Sequence, residues 1–412
     1  MARQRAIVVG GSLGGLFAAH MLRLAGLDVK VYERSGDDLA TRGAGIGTHD
    51  EMLAVVRRIG IPIDHSIGVD VRTRIVLDTA GYVTHALALG RVMSAWAHIY
   101  TPLKELLPQD KYHFNMALQR IEQDGSGVTA LFADGSRAHA DLLVAADGIR
   151  STVREQLMPH VQPTYAGYVA WRGVVQESEF PPALHAAIFE RHLYCLPKRE
   201  MMLGYMVPGR DNEVRPGKRA YNWVWYRPAS EHDELTKLCT DASGHRHGVA
   251  IPPPLIRPEC IREMRVAADT LLAPQMKHVV RLTAHPFFQG IFDLESPRLV
   301  QGRAALLGDA AFVARPHVGM GVTKAALDAQ FLADAIVAAG GDLDAALIRY
   351  DEARRLFGQR VVRRARMLGA HLEAKARTAA PARDEDPYER PEVVLRECGA
   401  NLSDIPELAE LT

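Results

Sequence analysis

Residues 6 to 35 read AIVVGGSLGGLFAAHMLRLAGLDVKVYERS, and no other stretch narrows the fold as much. Ala6 to Val9 is a short apolar run suited to a buried parallel strand. Leu13 to Leu24 carries apolar residues at helical spacing, and Asp28 to Tyr32 alternates like a second strand. Together they form a βαβ unit, which commits the N-terminal part to a parallel sheet with helices laid against it.

The turn between strand and helix is Gly10-Gly11-Ser12-Leu13-Gly14-Gly15. Gly10 permits the tight turn, Gly15 lets helix and strand approach closely, and the N–H groups of the helix start point at whatever anion sits there. Ser12 stands at the middle glycine position of G-x-G-x-x-G, where a small side chain is tolerated. Glu33 follows about 20 residues on and ends the second strand with an acceptor for a pair of ribose hydroxyls. A carboxylate here selects a 2′-OH over a 2′-phosphate, so the dinucleotide is FAD or NAD. The turn alone does not distinguish a prosthetic flavin from an exchanging nicotinamide.

With 412 residues the chain exceeds one ordinary core and suffices for two. Residues 72–89 read as a hairpin around Thr79-Ala80-Gly81, and Tyr112 to Asp141 as a three-stranded antiparallel meander. DLLVAADGIRSTVR, residues 141–154, supplies another buried strand ending at Asp147-Gly148, at the carboxyl edge where open α/β sheets bind ligands. Residues 163–296 hold three of the four tryptophans and strand-like pieces such as NWVWY, so this region is expected to form a sheet that covers a substrate. Ala304 to Leu307 is a further buried strand leading into Gly308-Asp309, Pro316-His317 and Gly319-Met320-Gly321. Residues 342–377 have helical periodicity with a run of arginines, read first as a solvated face. The Pro- and acid-rich tail is expected to wrap the body or a neighbouring subunit.

Lys plus Arg and Asp plus Glu are balanced at 49 each, which argues against nucleic acid as a partner. The four cysteines are spaced too widely for a CxxC motif, consistent with a reducing, cytoplasmic compartment. No run approaches the length of a membrane span and the N-terminal apolar run is too short for a signal peptide, so neither secretion nor membrane insertion is expected. His245-Arg246-His247 looks like a metal pair, yet Ser, Gly and Arg surround it, and it reads as a solvated loop. No metal is expected.

GGSLGG with Glu33, DLLVAADGIRSTVR and LLGDAAFVARPHVGMGVTKAALDA, taken in order, resemble the three fingerprints of the class A flavoprotein monooxygenases, the single-component aromatic hydroxylases. The resemblance implies an α/β fold: a Rossmann-like FAD-binding domain of glutathione-reductase and para-hydroxybenzoate-hydroxylase type, an inserted, mostly antiparallel substrate sheet, and a C-terminal helical segment. The expected division is 1–71, 91–162 and 297–340 for FAD, 72–90 and 163–296 for substrate, and 341–412 for the C-terminal helix and tail.

The resemblance also implies roles. Gly10, Ser12, Leu13, Gly14 and Gly15 hold the pyrophosphate of a non-covalent FAD, and Glu33 the adenosine ribose, with Arg34 and Leu118 alongside. Arg42 lies along the cofactor and Ile46 near its ring. Asp147 supports FAD and NAD(P)H binding, and Asp309 bonds the ribityl chain. Pro316 roofs the flavin, and Gly321 and Val322 offer N–H groups to its pyrimidine edge, where a helix N-terminus favours negative charge. Two departures stand out: Tyr100 where many relatives carry Arg, and Met320 and Thr323 where many carry Gln and Asn.

The implied reaction uses NADH or NADPH and O2 to hydroxylate a hydroxylated (hetero)aromatic ring. A pyridinol such as a dihydroxypyridine is the first expectation and a salicylate- or hydroxybenzoate-like acid the second. A non-catalytic FAD-containing binding protein is the reading from another class. His317 is the candidate proton-exchanging residue and substrate contact, with Tyr205, Trp223 and Trp225 as ring contacts. Arg172 is left between an anionic substrate and an interdomain ion pair. A homodimer is a further possibility.

Overall fold

The strand Arg5–Val9 lies inside a six-stranded sheet because its apolar run has neighbours to bury it on both sides. In the computed structural model, which describes residues 3–37, 39, 45–64, 67–377 and 386–412, the strand order is Val300–Gln301, Ala304–Leu306, Leu142–Ala145, Arg5–Val9, Asp28–Tyr32, Tyr112–His113. All neighbours are parallel except the hairpin that joins the first two. Four of these strands run toward one edge, so Gly10, Glu33, Asp147 and Asp309, which follow them in sequence, arrive together there. The expected antiparallel meander is present as Leu118–Asp124, Gly127–Phe132 and Arg137–Ala140.

The second large sheet has eight strands in the order Phe312–Val313, Phe287–Glu295, Thr164–Gln176, Ala220–Pro228, Met201–Val207, Arg191–Cys195, Thr73–Leu77, Val83–Leu87. Every pairing is antiparallel except that between Arg191–Cys195 and Thr73–Leu77. Its two faces are covered differently. The outer face packs Trp171, Trp223, Trp225 and Met202 against the helices Pro258–Leu271 and Pro274–Leu282. The inner face carries Tyr168, Tyr194, Val224 and Tyr226, and is covered by Leu372, Val394, Leu395 and Cys398 of the C-terminal part.

That covering departs from a simple solvated arginine helix. Helix Leu343–Gly369 buries a stripe that includes Tyr350, Phe357 and Val361, and Arg354 with it. Arg364 reaches Glu397 at 2.5 Å and Glu407 at 3.3 Å, so its charge fastens the tail. On the far side Arg74 donates to the carbonyl oxygens of Leu395, Cys398 and Gly399 at 2.9, 2.6 and 3.0 Å. The described tail, residues 386–412, therefore wraps the body of its own chain.

Arg354 Nε donates to Asp328 Oδ1 at 2.8 Å with both groups buried, and Asp328 Oδ2 accepts the Gly308 N–H at 3.2 Å. Gly308 has φ of +62°, a conformation L side chains seldom adopt, and the ion pair braces the turn that presents Asp309. Removing one partner of a buried pair strands the other charge, so Asp328→Ala is expected to cost about 3 kcal/mol or more and to loosen cofactor retention. Urea unfolding midpoints together with flavin content of the purified variant measure both; a change under about 1 kcal/mol would discount the bracing role.

Candidate functional site

The edge where the four strand ends meet opens into a cavity of about 460 Å³ whose lining includes Gly10, Ser12, Glu33, Arg34, Leu118 and Asp147. Glycine is required in the turn that forms its wall: a Cβ on Gly10 would sit 2.4 Å from the Ala146 carbonyl oxygen, one on Gly15 1.8 Å from the Gly10 carbonyl oxygen, and one on Gly11 2.1 Å from the Tyr112 hydroxyl. Gly14 faces Ala325 and Leu307, and Leu13 is buried in the core. No side chain caps that helix at Ser12, which leaves its first N–H groups for an anion.

Glu33 points back into the turn, accepting from Gly11 N at 2.7 Å and Ser35 N at 2.8 Å, and these bonds set its carboxylate at the cavity wall. Asp147 Oδ2 caps the helix Thr152–Leu157 by accepting from Thr152 N at 2.8 Å. Its Oδ1 is enclosed and has no partner, and burial raises the carboxyl above its ordinary range. An unsatisfied acceptor on a residue of the cavity wall, beside a bare helix end, fits a dinucleotide that brings both hydroxyl donors and phosphates.

Asp309 stands at the same edge with 55% of its side chain open, and Lys324 Nζ lies 3.8 Å behind its Oδ1 with its own side chain enclosed. Gly321 and Val322 open helix Gly321–Ala338, which also lacks a side-chain cap, and a Cβ on Gly321 would meet no atom within 4 Å. The backbone there is accessible to a flat ligand edge. Ile46 lies half-buried on the strand Gly45–Gly47, while Arg42 falls outside the described residues. Tyr100 occupies the core and stacks on Trp96 at 4.4 Å, and Trp96 lines the cavity, so the place of the missing Arg is filled by packing.

His317 follows Pro316 on the short turn Pro316–Val318. It is 4% exposed, its Nε2 is 2.8 Å from the Tyr168 hydroxyl, and Tyr226 meets its ring edge-on. Burial pushes its pKa well below the ordinary value, with His371 and Arg315 adding to the effect. Arg315 anchors this turn through Asp293 at 2.8 Å and Glu373 at 2.9 Å.

The aromatic candidates separate by face. Tyr205 lies on the inner side and donates to the Gly45 carbonyl at 3.2 Å, next to Ile46. Trp223 and Trp225 are not brought to the site: both are buried on the outer face, Trp223 Nε1 donating to Thr283 Oγ1 at 2.8 Å. Reading the sequence missed Tyr112, whose hydroxyl donates to Gly11 O at 3.1 Å, because one tyrosine on a two-residue strand carries no pattern. It also missed a carboxylate beside the histidine pair: His247 Nε2 meets Asp241 Oδ2 at 2.7 Å and closes a loop, and no metal-binding group of three such residues occurs among the described residues. Among those residues no helix is long and apolar enough to cross a membrane.

A family model described as FAD binding domain-like matches residues 165–293, which covers most of the eight-stranded sheet and not the glycine turn. A 2,6-dihydroxypyridine 3-monooxygenase from Paenarthrobacter nicotinovorans is 35% identical over 331 residues, 80% of this chain and 82% of the relative. A salicylate hydroxylase from Pseudomonas putida is 27% identical over 87% of the chain and 83% of its own length. The chain belongs to the class A flavoprotein monooxygenases, FAD-dependent enzymes that hydroxylate aromatic rings. Among solved structures it resembles 2,6-dihydroxypyridine-3-hydroxylase from Arthrobacter nicotinovorans, with a TM-score of 0.83 and 31% identity over 91% of this chain and 94% of that one.

His49 ties the site to the tail, its Nδ1 2.8 Å from Thr323 Oγ1 and its Nε2 3.2 Å from Ala400 O. Burial, then the nearby Arg91 charge, lowers its pKa from 6.5 to about 3. Between those values the unfolded chain binds the proton and the folded chain does not. Stability is therefore fully present above pH 6.5 and falls on acidification, by about 1.4 kcal/mol per pH unit from this group. Urea midpoints at pH 7, 6 and 5 should show a shallower decline in His49→Gln than in the wild type; equal slopes would refute the assignment.

Proposed function

We propose that this monooxygenase hydroxylates a pyridinol, a pyridine ring already bearing hydroxyl groups, using NADH or NADPH and O2. The observation that carries the reading is the convergence of two uncapped helix ends with Asp147 and Asp309 on one edge. The pyridinol rests on the 35% identical relative named for 2,6-dihydroxypyridine. FAD, when bound, supplies the redox chemistry and the activation of oxygen. The chain's part is to bind its phosphates at Gly10 to Gly15, hold its hydroxyls at Glu33, Asp147 and Asp309, and keep the ring layer enclosed under the inner face of the large sheet.

His317 serves in this reading as a positioning residue and not as a proton carrier. It is held uncharged by burial and fixes the Pro316–Val318 turn against Tyr168. His317→Gln is expected to lower flavin retention and the coupling of NAD(P)H oxidation to product, while leaving the pH dependence of the rate between pH 6 and 8 unchanged. A rate profile that loses an ionisation in this range on substitution would restore the proton-exchange role.

The test of the whole reading is direct. Purified yellow protein mixed with NADH or NADPH under air should bleach and reoxidise, faster with a hydroxypyridine present. With ¹⁸O₂ the product should gain one labelled oxygen. Absence of bleaching with either nucleotide, with and without ring compounds, would favour a binding protein that holds FAD without turnover.

A further inference from the structure

Three arginines lie at the inner face of the eight-stranded sheet, Arg74 and Arg172 on its own strands and Arg91 on the neighbouring strand Arg91–Ala95, and among the described residues none forms an ion pair with a carboxylate. Two of them donate to backbone through their terminal nitrogens, although Arg74 Nε, like Arg172 Nε, is enclosed without a partner. Arg74 donates to the carbonyls of the tail, and Arg91 to Thr48 O at 3.0 Å and Gly399 O at 2.5 Å, with the His49 ring beside it. Arg172 has no such partner. Its side chain is half-buried, its Nε is enclosed, and no acceptor meets it.

Arg172 does not stand alone. It pairs across the sheet with Val224, and Asn222, two residues along the same face, is 1% exposed with an enclosed Nδ2 that also lacks an acceptor. Asn222 in turn registers with Tyr205, whose ring lies 5.0 Å from that of His192, where Nε2 is a third enclosed atom without a partner. Burial raises the hydroxyl pKa values of Tyr205 and Tyr226, and the Arg172 charge opposes that rise on both, so the guanidinium is near the two rings. Tyr205 reaches Gly45, at the start of the strand implied to flank the flavin ring.

An enclosed donor without an acceptor is destabilising, and more so when charged, so native structures keep such groups where something else completes them. Here the uncompensated groups are a cation and an amide N–H, both of which call for an oxygen with lone pairs and negative charge. We propose that Arg172 and Asn222 receive a negatively charged oxygen borne by the substrate ring, so that this enzyme selects ionised rings over neutral ones of the same shape. The proposal rests on the hydroxylase reading for the identity of the ring. Recognition of the charge stands on the inner-face geometry alone. A ring oxide and a ring carboxylate present the same chemistry, and the choice between them belongs to the test.

The experiment uses oxidised holoenzyme and perturbation of its flavin absorbance to obtain Kd for three probes. These are 2,6-dihydroxypyridine at a pH where it is ionised, 2,6-dimethoxypyridine as the neutral ring of similar shape, and salicylate. Arg172→Met should weaken binding of an ionised probe by about 10- to 100-fold, the worth of a hydrogen bond to a charged group. Dimethoxypyridine should change less than about twofold on the same grounds, flavin content should match the wild type, and Arg172→Lys should recover part of the loss. Loss confined to dihydroxypyridine assigns the charge to a ring oxygen, and loss confined to salicylate to a carboxylate. Unchanged affinity of both ionised probes in Arg172→Met, or equal weakening of ionised and neutral probes, would overturn the proposal. If the binding pattern holds while no ring stimulates NAD(P)H oxidation, the hydroxylase reading fails and the recognition of an anion by Arg172 and Asn222 stands.

Discussion

The approach of Gly15 to the Gly10 carbonyl is the constraint on which the site is built. With 1.8 Å between that oxygen and where a Cβ would be, helix Leu13–Leu24 lies as near to the parallel sheet as backbone allows. Helix Gly321–Ala338 packs against the first helix beside Gly14, where Ala325 is a near neighbour. The close contact fixes the first helix end on the sheet, and the ion pair of Asp328 and Arg354 holds the turn at Gly308 that leads to the second. Hydrophobic burial could hold these helices together in many arrangements. The missing side chains choose one.

Charge is distributed unequally across the two layers. The strand edge offers acceptors, Glu33, Asp147 and Asp309. The opposing sheet offers donors and a cation, Asn222 and Arg172, with Arg91 beside it on the strand Arg91–Ala95. A ligand spanning both layers is therefore oriented along its length by hydrogen-bond polarity before any shape complementarity acts. His317, His49 and His192 are all enclosed near arginines, and burial with positive neighbours lowers their pKa values.

Much of this was legible in the sequence, for identifiable reasons. Strands buried on both sides are written as unbroken apolar runs, so Ala6 to Val9, Leu142 to Ala145 and Ala304 to Leu307 mark the sheet, and the residues that follow them mark its binding edge. The same rule made the aromatic strand illegible. In Ala220–Pro228 all residues but Arg227 are buried, so period-two alternation carries no information about which face meets the ring, and Trp223 was favoured over its neighbours on the other face. Arg172 was recognisable as a candidate but not as an unpaired one, because pairing depends on which carboxylates the fold leaves distant. The composition of the tail pointed to wrapping but not to its anchors, since Arg74 and Arg91 hold it by main-chain oxygens that every sequence possesses.

That mode of attachment has a consequence for biosynthesis. The residues gripped by Arg74 lie 321 to 325 positions later in the chain. At ribosomal rates of 5–20 residues per second, the arginine waits roughly a quarter of a minute to a minute for its partners. Throughout that interval the part of the inner face around Val76 and Tyr194 lacks the cover that Val394, Leu395 and Cys398 give it. Completion of the ring-binding layer is thus one of the last events in the life of the nascent protein, after the dinucleotide edge has all its strands.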